Sequence, residues 1–317
     1  MSTHACSLLG CAVEDDREFT LADYEGAIAR WCPGCGDHAV LTAAEKLLAA
    51  EQLKPETTVF VSGIGCSSRF PHYIHTYGFH GLHGRALPVA TGVKLHRPEL
   101  DVFVVMGDGD CCSIGAGHWL HATRYNMDLT VLMLDNNIYG LTKKQTSPTT
   151  PQGFPSNTQP RGSWLPALDP IQATLGITNA SFVAQTAEWI PQHLFATLQA
   201  AYRHPGFAFV RILQRCPQYT PTLYQLAVRQ PETVEMMVHD DGVVVPELER
   251  TYRNQIHHDP GDLDAARRLA GAAGKIRLGV FFRDPSLPRY DEMRRVPRHT
   301  AADKVNLLKR ELDRHAV

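Results

Sequence analysis

Apolar residues in this chain gather into short unbroken runs rather than alternating with polar ones. Val59-Phe60-Val61, Val102 to Met106, Leu129 to Leu134 and Phe207 to Leu213 are such runs, and each stops at a polar or glycine-bearing turn. Continuous apolar runs of this length predict strands buried on both faces, as in a parallel sheet covered by helices. Between them lie helical patterns. His38 to Glu51 places Val40, Leu41, Ala44, Leu47 and Leu48 on one face, and Ala86 to His96 and Ile114 to about Asn126 follow the same period. From Ile171 to Leu213 the order is helix, strand, helix, strand. The alternation predicts an α/β fold, a doubly wound and mostly parallel sheet. In such sheets the loops after the strands share one edge, where ligands bind.

The ends of the chain read differently. Residues 1–23, polar and acidic after Cys11, are expected to form a mobile N-terminal arm, and residues 24–222 the sheet domain. Residues 223–317 are richer in Arg, Asp and Pro, with a lone apolar patch at Leu278 to Phe282. That pattern predicts a C-terminal extension, an extended arm and a helix from Asp303 to Arg314, contacting a partner subunit or the cofactor site rather than forming a core.

An apolar content of 44% with 20% charged residues suits a globular protein, and a net charge of −2 gives no support to nucleic-acid binding or to an anionic membrane surface. No apolar run approaches the ~20 residues of a membrane span, and the first residues lack the basic flank and apolar core of a secretory signal. A cytoplasmic setting is therefore expected. There the eight cysteines are better read as metal ligands or free thiols than as disulfides.

Candidate chemistry sits in the strand-end loops. Gly107-Asp108-Gly109-Asp110 follows the second run and Asp135-Asn136-Asn137 the third. Glycine lets backbone approach a phosphate, and Asp108 and Asn136 offer the hard oxygens that Mg²⁺ takes beside phosphate oxygens. Alone, Gly-Asp-Gly is an ordinary turn. Cys32 and Cys35, two residues apart before a helix, have three readings: a redox pair, half a zinc site, or half an iron–sulfur site. A redox pair wants a strand just upstream, which Ala22 to Arg30 does not supply. A zinc ribbon wants a second Cys-x2-Cys, and none is present. Cys66, in the loop Gly63 to Arg69, and Cys216, just after the Phe207 run, can converge with the pair along the shared edge. Four thiolates together hold a [4Fe–4S] cluster or zinc. Cys6 and Cys11 read as unpaired tail thiols, and Cys111 and Cys112 as core packing. His75, His80 and His96 read as solvated or hydrogen-bonded. The long Pro/Thr/Ser-rich stretch up to Pro170 reads as a functional or disordered loop.

Gly-Asp-Gly followed by Asn-Asn on the next strand resembles the signature of thiamine diphosphate enzymes. With Cys-Pro-Gly-Cys-Gly at 32–36, Gly-Ile-Gly-Cys-Ser at 63–67, His-Gly-Arg-Ala-Leu-Pro at 83–88, Asn-Asn-Ile-Tyr-Gly-Leu-Thr at 136–142 and Cys216-Pro217, the chain from about Ala29 to about Thr222 resembles the β subunit of a 2-oxoacid:ferredoxin oxidoreductase. The resemblance implies a thiamine diphosphate-binding fold. It implies that Asp108, the Asn136 side chain and the Ile138 carbonyl hold Mg²⁺. Ile64, Gly65, Cys66, Ser67, His83, Gly107, Asp108, Gly109 and Asp110 would line the diphosphate site, with Asn136, Ile138, Gly140 and Leu141 completing it. Cys32, Cys35, Cys66 and Cys216 would ligate one [4Fe–4S] cluster.

The implied reaction is reversible oxidative decarboxylation of a 2-oxoacid with coenzyme A to an acyl-CoA, the electrons passing singly to ferredoxin. Arg69 and Lys143, with His83, are the candidates for positioning substrate and cofactor. The Arg69 position favours a dicarboxylic substrate, 2-oxoglutarate over pyruvate. Many relatives have glycine where Lys144 stands. An α subunit, in an (αβ)₂ assembly, would supply the catalytic glutamate and the coenzyme A site, leaving the isolated chain inactive. The alternatives are pyruvate as substrate, a cluster-free thiamine decarboxylase, or a zinc-bearing structural subunit of a redox complex.

Overall fold

The computed structural model describes residues 17–272, 274–294 and 301–315. Cys6, Cys11 and most of the N-terminal arm lie outside them. Strands β1 (Thr58–Ser62), β2 (Tyr77–His80), β3 (Asp101–Gly107), β4 (Leu129–Asp135), β5 (Phe182–Ala187) and β6 (Phe207–Leu213) are followed by β7 (Val234–Val238), β8 (Gln255–His257) and β9 (Ile276–Arg283). All nine join one sheet in the order β2-β1-β3-β4-β6-β5-β9-β7-β8. The first six pair in parallel, and β9 enters antiparallel to β5. The four apolar runs are β1, β3, β4 and β6, and every residue of β1 and β4 is buried.

Because side chains alternate across a strand, the runs feed two cores. Phe60, Phe103, Val105, Leu132, Leu134, Val210 and Ile212 face one side, under α1 (Asp37–Ala50) and, later in the chain, α5 (Pro191–Tyr202). Val59, Val61, Val104, Met106, Val131, Met133 and Phe209 face the other, under α2 (Ala86–His96), α3 (Ala116–Tyr125), α4 (Pro170–Leu175) and α7 (Leu263–Gly271). Helices α6 (Gln225–Arg229), α8 (Tyr290–Met293) and α9 (Ala301–Arg314) complete the described α-helices. The Asp169 side chain caps α4 by accepting from the N–H of Ile171 and Gln172, with Pro170 in the first turn.

The third predicted helix, Ile114 to about Asn126, is found as α3, with an irregular turn before it. Asp110–Ile114 forms a single π turn that kinks at Ser113, and α3 starts only at Ala116. The C-terminal residues depart further from the sequence pattern. Where an extended arm was expected, β7, β8 and β9 extend the sheet, and the patch Leu278 to Phe282 is the middle of β9. Leu278 packs with Tyr224, Val234, Met236 and Tyr252 in a third core. Gly279 makes this pairing fit: its φ is +135°, and a Cβ there would stand 2.8 Å from the Met237 carbonyl. The antiparallel pairing of β9 with β5 shifts register between Val183 and Ala184. The run is lone in sequence because its partners are far away in it.

Candidate active site

The loops leaving β1, β3 and β4 surround one cavity of about 370 Å³. Its lining includes every residue expected at the cofactor site, from the Ile64–Ser67 loop through His83 and the Gly107–Asp110 turn to Asn136, Ile138, Gly140 and Leu141. Leu134, Tyr139, Thr142, Gln145 and Gln214 also line it, and the sequence pattern did not single these out.

Glycines set its shape where the backbone turns tightly. A Cβ on Gly109 would lie 2.1 Å from Cε1 of Tyr139, and one on Gly63 the same distance from Oδ2 of Asp110. Gly84 has φ +71° and no room for a side chain against Ile114 and Gly115.

Asp110 ties three of these loops together. Its Oδ1 accepts from the N–H of Gly84 at 2.6 Å and of Ile64 at 3.2 Å, and His83 Nδ1 lies 2.7 Å from it. Burial pushes its pKa up against these donors. Tyr139 packs edge-on to His83.

Asp108 is 2% exposed. Burial, and then the charge of Asp135, push its pKa up to about 7. It accepts hydrogen bonds from the hydroxyls of Ser147 and Thr149 and has no cationic partner among the described residues. A buried carboxylate without a counter-charge invites a cation. The other hard oxygens nearby are the Asn136 amide, whose Oδ1 accepts from the N–H of Ile138, and the Ile138 carbonyl.

The cysteine loops meet beside this cavity. The Trp31 indole donates to the Cys66 carbonyl at 2.7 Å, the Gly36 N–H to the Arg215 carbonyl at 3.1 Å, and Gln214 Nε2 reaches Cys35 Sγ at 3.3 Å. Cys66 lines the cavity itself. Burial pushes the Cys66 thiol up to about 12, with Asp37, Cys216 and Cys32 adding to the effect, and raises Cys35 through burial, Asp37 and Cys216. Cys32 is exposed and Cys216 buried. Among the described residues no three His, Cys, Asp or Glu side chains close around a point as one metal ion requires. Beneath the loops, Glu188 grips the Arg215 guanidinium through both oxygens.

Arg69 and Lys143 are not among the lining residues. The Arg69 guanidinium lies 5.5 Å from the Tyr73 ring centre, with Nη1 3.4 Å from the Arg30 carbonyl. Lys143 is exposed and has φ +71°, and Lys144 has φ +62°. Two consecutive left-handed residues explain why glycine suits position 144. Cys111 and Cys112 pack in the second core, Cys112 Sγ 3.6 Å from Met133 Sδ. His80 Nδ1 is 2.6 Å from the Ser68 carbonyl, and His75 Nδ1 2.9 Å from that of Asp23.

The residues missed by pattern are those whose partners lie across the fold. Ser147 and Thr149 belong to the Thr-Ser-Pro-Thr-Thr stretch, whose only signal is a density of hydroxyls. Gln214 sits at the end of β6, just before Arg215-Cys216-Pro217. No helix of the described residues is long and apolar enough to cross a membrane.

Residues 63–212 match the family model of the C-terminal TPP-binding domain of thiamine pyrophosphate enzymes. The chain is 48% identical over 218 residues to the 2-oxoglutarate oxidoreductase subunit KorB of Mycobacterium tuberculosis, a match covering 68% of this chain and 58% of that protein. It is 37% identical over 262 residues to the β subunit of 2-oxoacid:ferredoxin oxidoreductase 1 of Aeropyrum pernix, covering 83% of this chain and 80% of that subunit. Among solved structures, a 2-oxoglutarate:ferredoxin oxidoreductase from Magnetococcus marinus, with 2-oxoglutarate, coenzyme A and succinyl-CoA bound, superimposes with a TM-score of 0.78 at 34% identity, over 92% of this chain and 95% of that one. A thiamine-type domain around the cavity and similarity along most of the chain agree: the chain belongs to the β subunits of the 2-oxoacid:ferredoxin oxidoreductases.

Proposed function

We propose that this chain binds thiamine diphosphate, Mg²⁺ and one [4Fe–4S] cluster, and that with an α subunit it oxidatively decarboxylates 2-oxoglutarate with coenzyme A, passing electrons to ferredoxin in the cytoplasm. The observation that carries the reading is the loop Ile64–Ser67, which lines the cavity and contains Cys66, so cofactor site and thiols share one turn. The donor sets suit both groups. Asp108, Asn136 and the Ile138 carbonyl offer hard oxygens for Mg²⁺, and the uncompensated Asp108 charge calls for a cation. Four thiols on three hydrogen-bonded loops suit a cluster. A cubane is gripped at its corners, whereas zinc needs its sulfurs about 2.3 Å from one centre. Thiamine diphosphate, when bound, supplies the electron sink for decarboxylation, and the cluster supplies one-electron transfer.

The chain's own residues orient and shield. Asp110, by accepting from the N–H groups of Ile64 and Gly84, holds the loops that carry Ile64 and His83 at the cavity wall. Tyr139 and Leu141 wall it. Arg69, close to Cys66, and Lys143, next to the lining residue Thr142, are the cations proposed for the substrate carboxylates. The relatives named for 2-oxoglutarate support that substrate over pyruvate. The α subunit, in an (αβ)₂ assembly, would bring the catalytic glutamate and the coenzyme A site, and residues 223–317 would contribute to the contact with it.

The test is ferredoxin-dependent turnover of the αβ complex across a panel of 2-oxoacids, with iron, sulfide and thiamine diphosphate measured on the same preparation. One zinc per chain with no iron and no thiamine would overturn the reading.

A further inference from the structure

We propose that Ser147 and Thr149 are positioning residues for the Mg²⁺ that anchors the diphosphate, pinning Asp108 by one carboxylate oxygen and leaving the other for the ion; this rests on the thiamine diphosphate reading above. Both hydroxyls converge on the same atom. Ser147 Oγ lies 2.5 Å and Thr149 Oγ1 2.6 Å from Asp108 Oδ2, and Oδ1 receives neither.

The neighbours fix where each proton goes. Thr150 Oγ1 donates to the Asn137 carbonyl at 2.6 Å and accepts from the Ser147 N–H at 2.8 Å. Its proton is committed, so Ser147, 3.1 Å from it, directs its own proton to Asp108. Thr149 Oγ1 lies 2.9 Å from Asp135 Oδ1 as well. Asp135, however, is already neutralised. Arg211 Nε and Nη2 lie 2.7 and 2.6 Å from its Oδ2, and the Asn137 N–H donates to its Oδ1. The threonine proton therefore does most for Asp108, which has no arginine partner among the described residues.

Ser147 is 4% exposed and Thr149 1% exposed, so water does not compete for these bonds. Asn137 Nδ2 donates to the Thr149 carbonyl at 2.6 Å, which ties this loop to the Asn136–Asn137 turn. One segment thus sets both the carboxylate and the amide expected on Mg²⁺. Mg²⁺ demands a near-ideal octahedron and keeps few protein ligands, so a carboxylate fixed to present a single oxygen suits it. Partners that orient a ligand in this way commonly change metal affinity 10- to 100-fold.

The test uses the αβ complex with full-length β. Thiamine diphosphate binding is titrated against Mg²⁺ by calorimetry, with the visible absorbance of the cluster as the control for folding. Thr149→Val and Ser147→Ala are expected to raise the half-saturating Mg²⁺ about tenfold or more. Thr149→Ser, which keeps the hydroxyl, is expected to stay within about threefold of the parent. Binding capacity at saturating Mg²⁺ and cluster absorbance should be unchanged in all three. A Thr149→Val complex that titrates like the parent overturns the proposal. So does equal weakening in Thr149→Val and Thr149→Ser, since the shared hydroxyl would then be irrelevant. If the parent complex itself shows no Mg²⁺-dependent binding, the cofactor reading fails first, and this is read before any variant is made.

Discussion

Tyr139 Oη donates to the carbonyl of Gly109 at 3.0 Å, and the same ring occupies the space a side chain at 109 would need. One residue from the loop after β4 thereby closes the turn after β3. The relationship makes Gly109 a packing requirement of Tyr139 as much as a hinge for a phosphate. Gly109→Ala is expected to weaken thiamine diphosphate binding more than tenfold, because a Cβ 2.1 Å from the ring forces turn or ring to move. Tyr139→Phe, which loses one hydrogen bond worth about 1 kcal/mol, should cost only several-fold. Calorimetric titration of the αβ complex distinguishes the two.

Asp108→Asn keeps the shape of the side chain and removes its charge. In the proposed site this abolishes Mg²⁺-dependent retention of thiamine diphosphate through gel filtration while cluster absorbance persists. Retention at the parent level would remove Asp108 from the metal site.

The six described cysteines should separate into two classes. Serine at Cys32, Cys35, Cys66 or Cys216 is expected to lose most of the iron and acid-labile sulfide. Serine at Cys111 or Cys112 should keep both, yet lower stability by about 1–3 kcal/mol, since a hydroxyl replaces a thiol packed in the second core. Metal analysis and chemical denaturation together assign each residue to its class.

Two buried histidines should each work against folding as pH falls. Burial alone pushes His193 down to about 4, and burial with Arg283 nearby does the same to His204. Both are neutral in the fold, while in the unfolded chain each gains a proton near 6.5. The contribution of these two histidines is therefore full above about pH 6.5 and is lost as pH drops toward 4, up to about 3 kcal/mol each, while buried carboxyls raised to about 7, such as Asp108 and Asp37, act in the opposite direction. Urea denaturation at a series of pH values should show the slope, and His193→Gln should remove part of it. An identical slope in that variant would mean that other groups carry the acid sensitivity.

Gly279→Ala tests whether the C-terminal strands belong to the core. With φ +135° and the Met237 carbonyl in the way, alanine is expected to cost at least about 1–3 kcal/mol of global stability. A neutral effect would mean that β9 is marginal to the fold.

Part of this molecule is legible residue by residue. Four strands follow from unbroken apolar runs, and Asp108 and Asn136 are readable because they sit directly after two of them, where topology alone brings strand ends together. Ser147 and Thr149 escape such reading, since their bonds to Asp108 span 39 and 41 residues through a loop with no periodicity. Gln214 escapes for the same reason, reaching Cys35 across 179 positions. The run at β9 was visible, but its place was not, because an antiparallel insertion beside β5 is chosen by long-range pairing.

The sequence by itself determined the α/β layering and the strand-end turns, because apolar periodicity and glycine placement act over a few neighbouring positions; most, though not all, of the residues that line the cavity were named through the resemblance of its motifs to a known family. Only the tertiary structure decided which hydroxyls hold Asp108, which ring fixes Gly109 and where the C-terminal strands dock. Those choices depend on packing between distant segments, and no local pattern encodes the distance at which two loops meet.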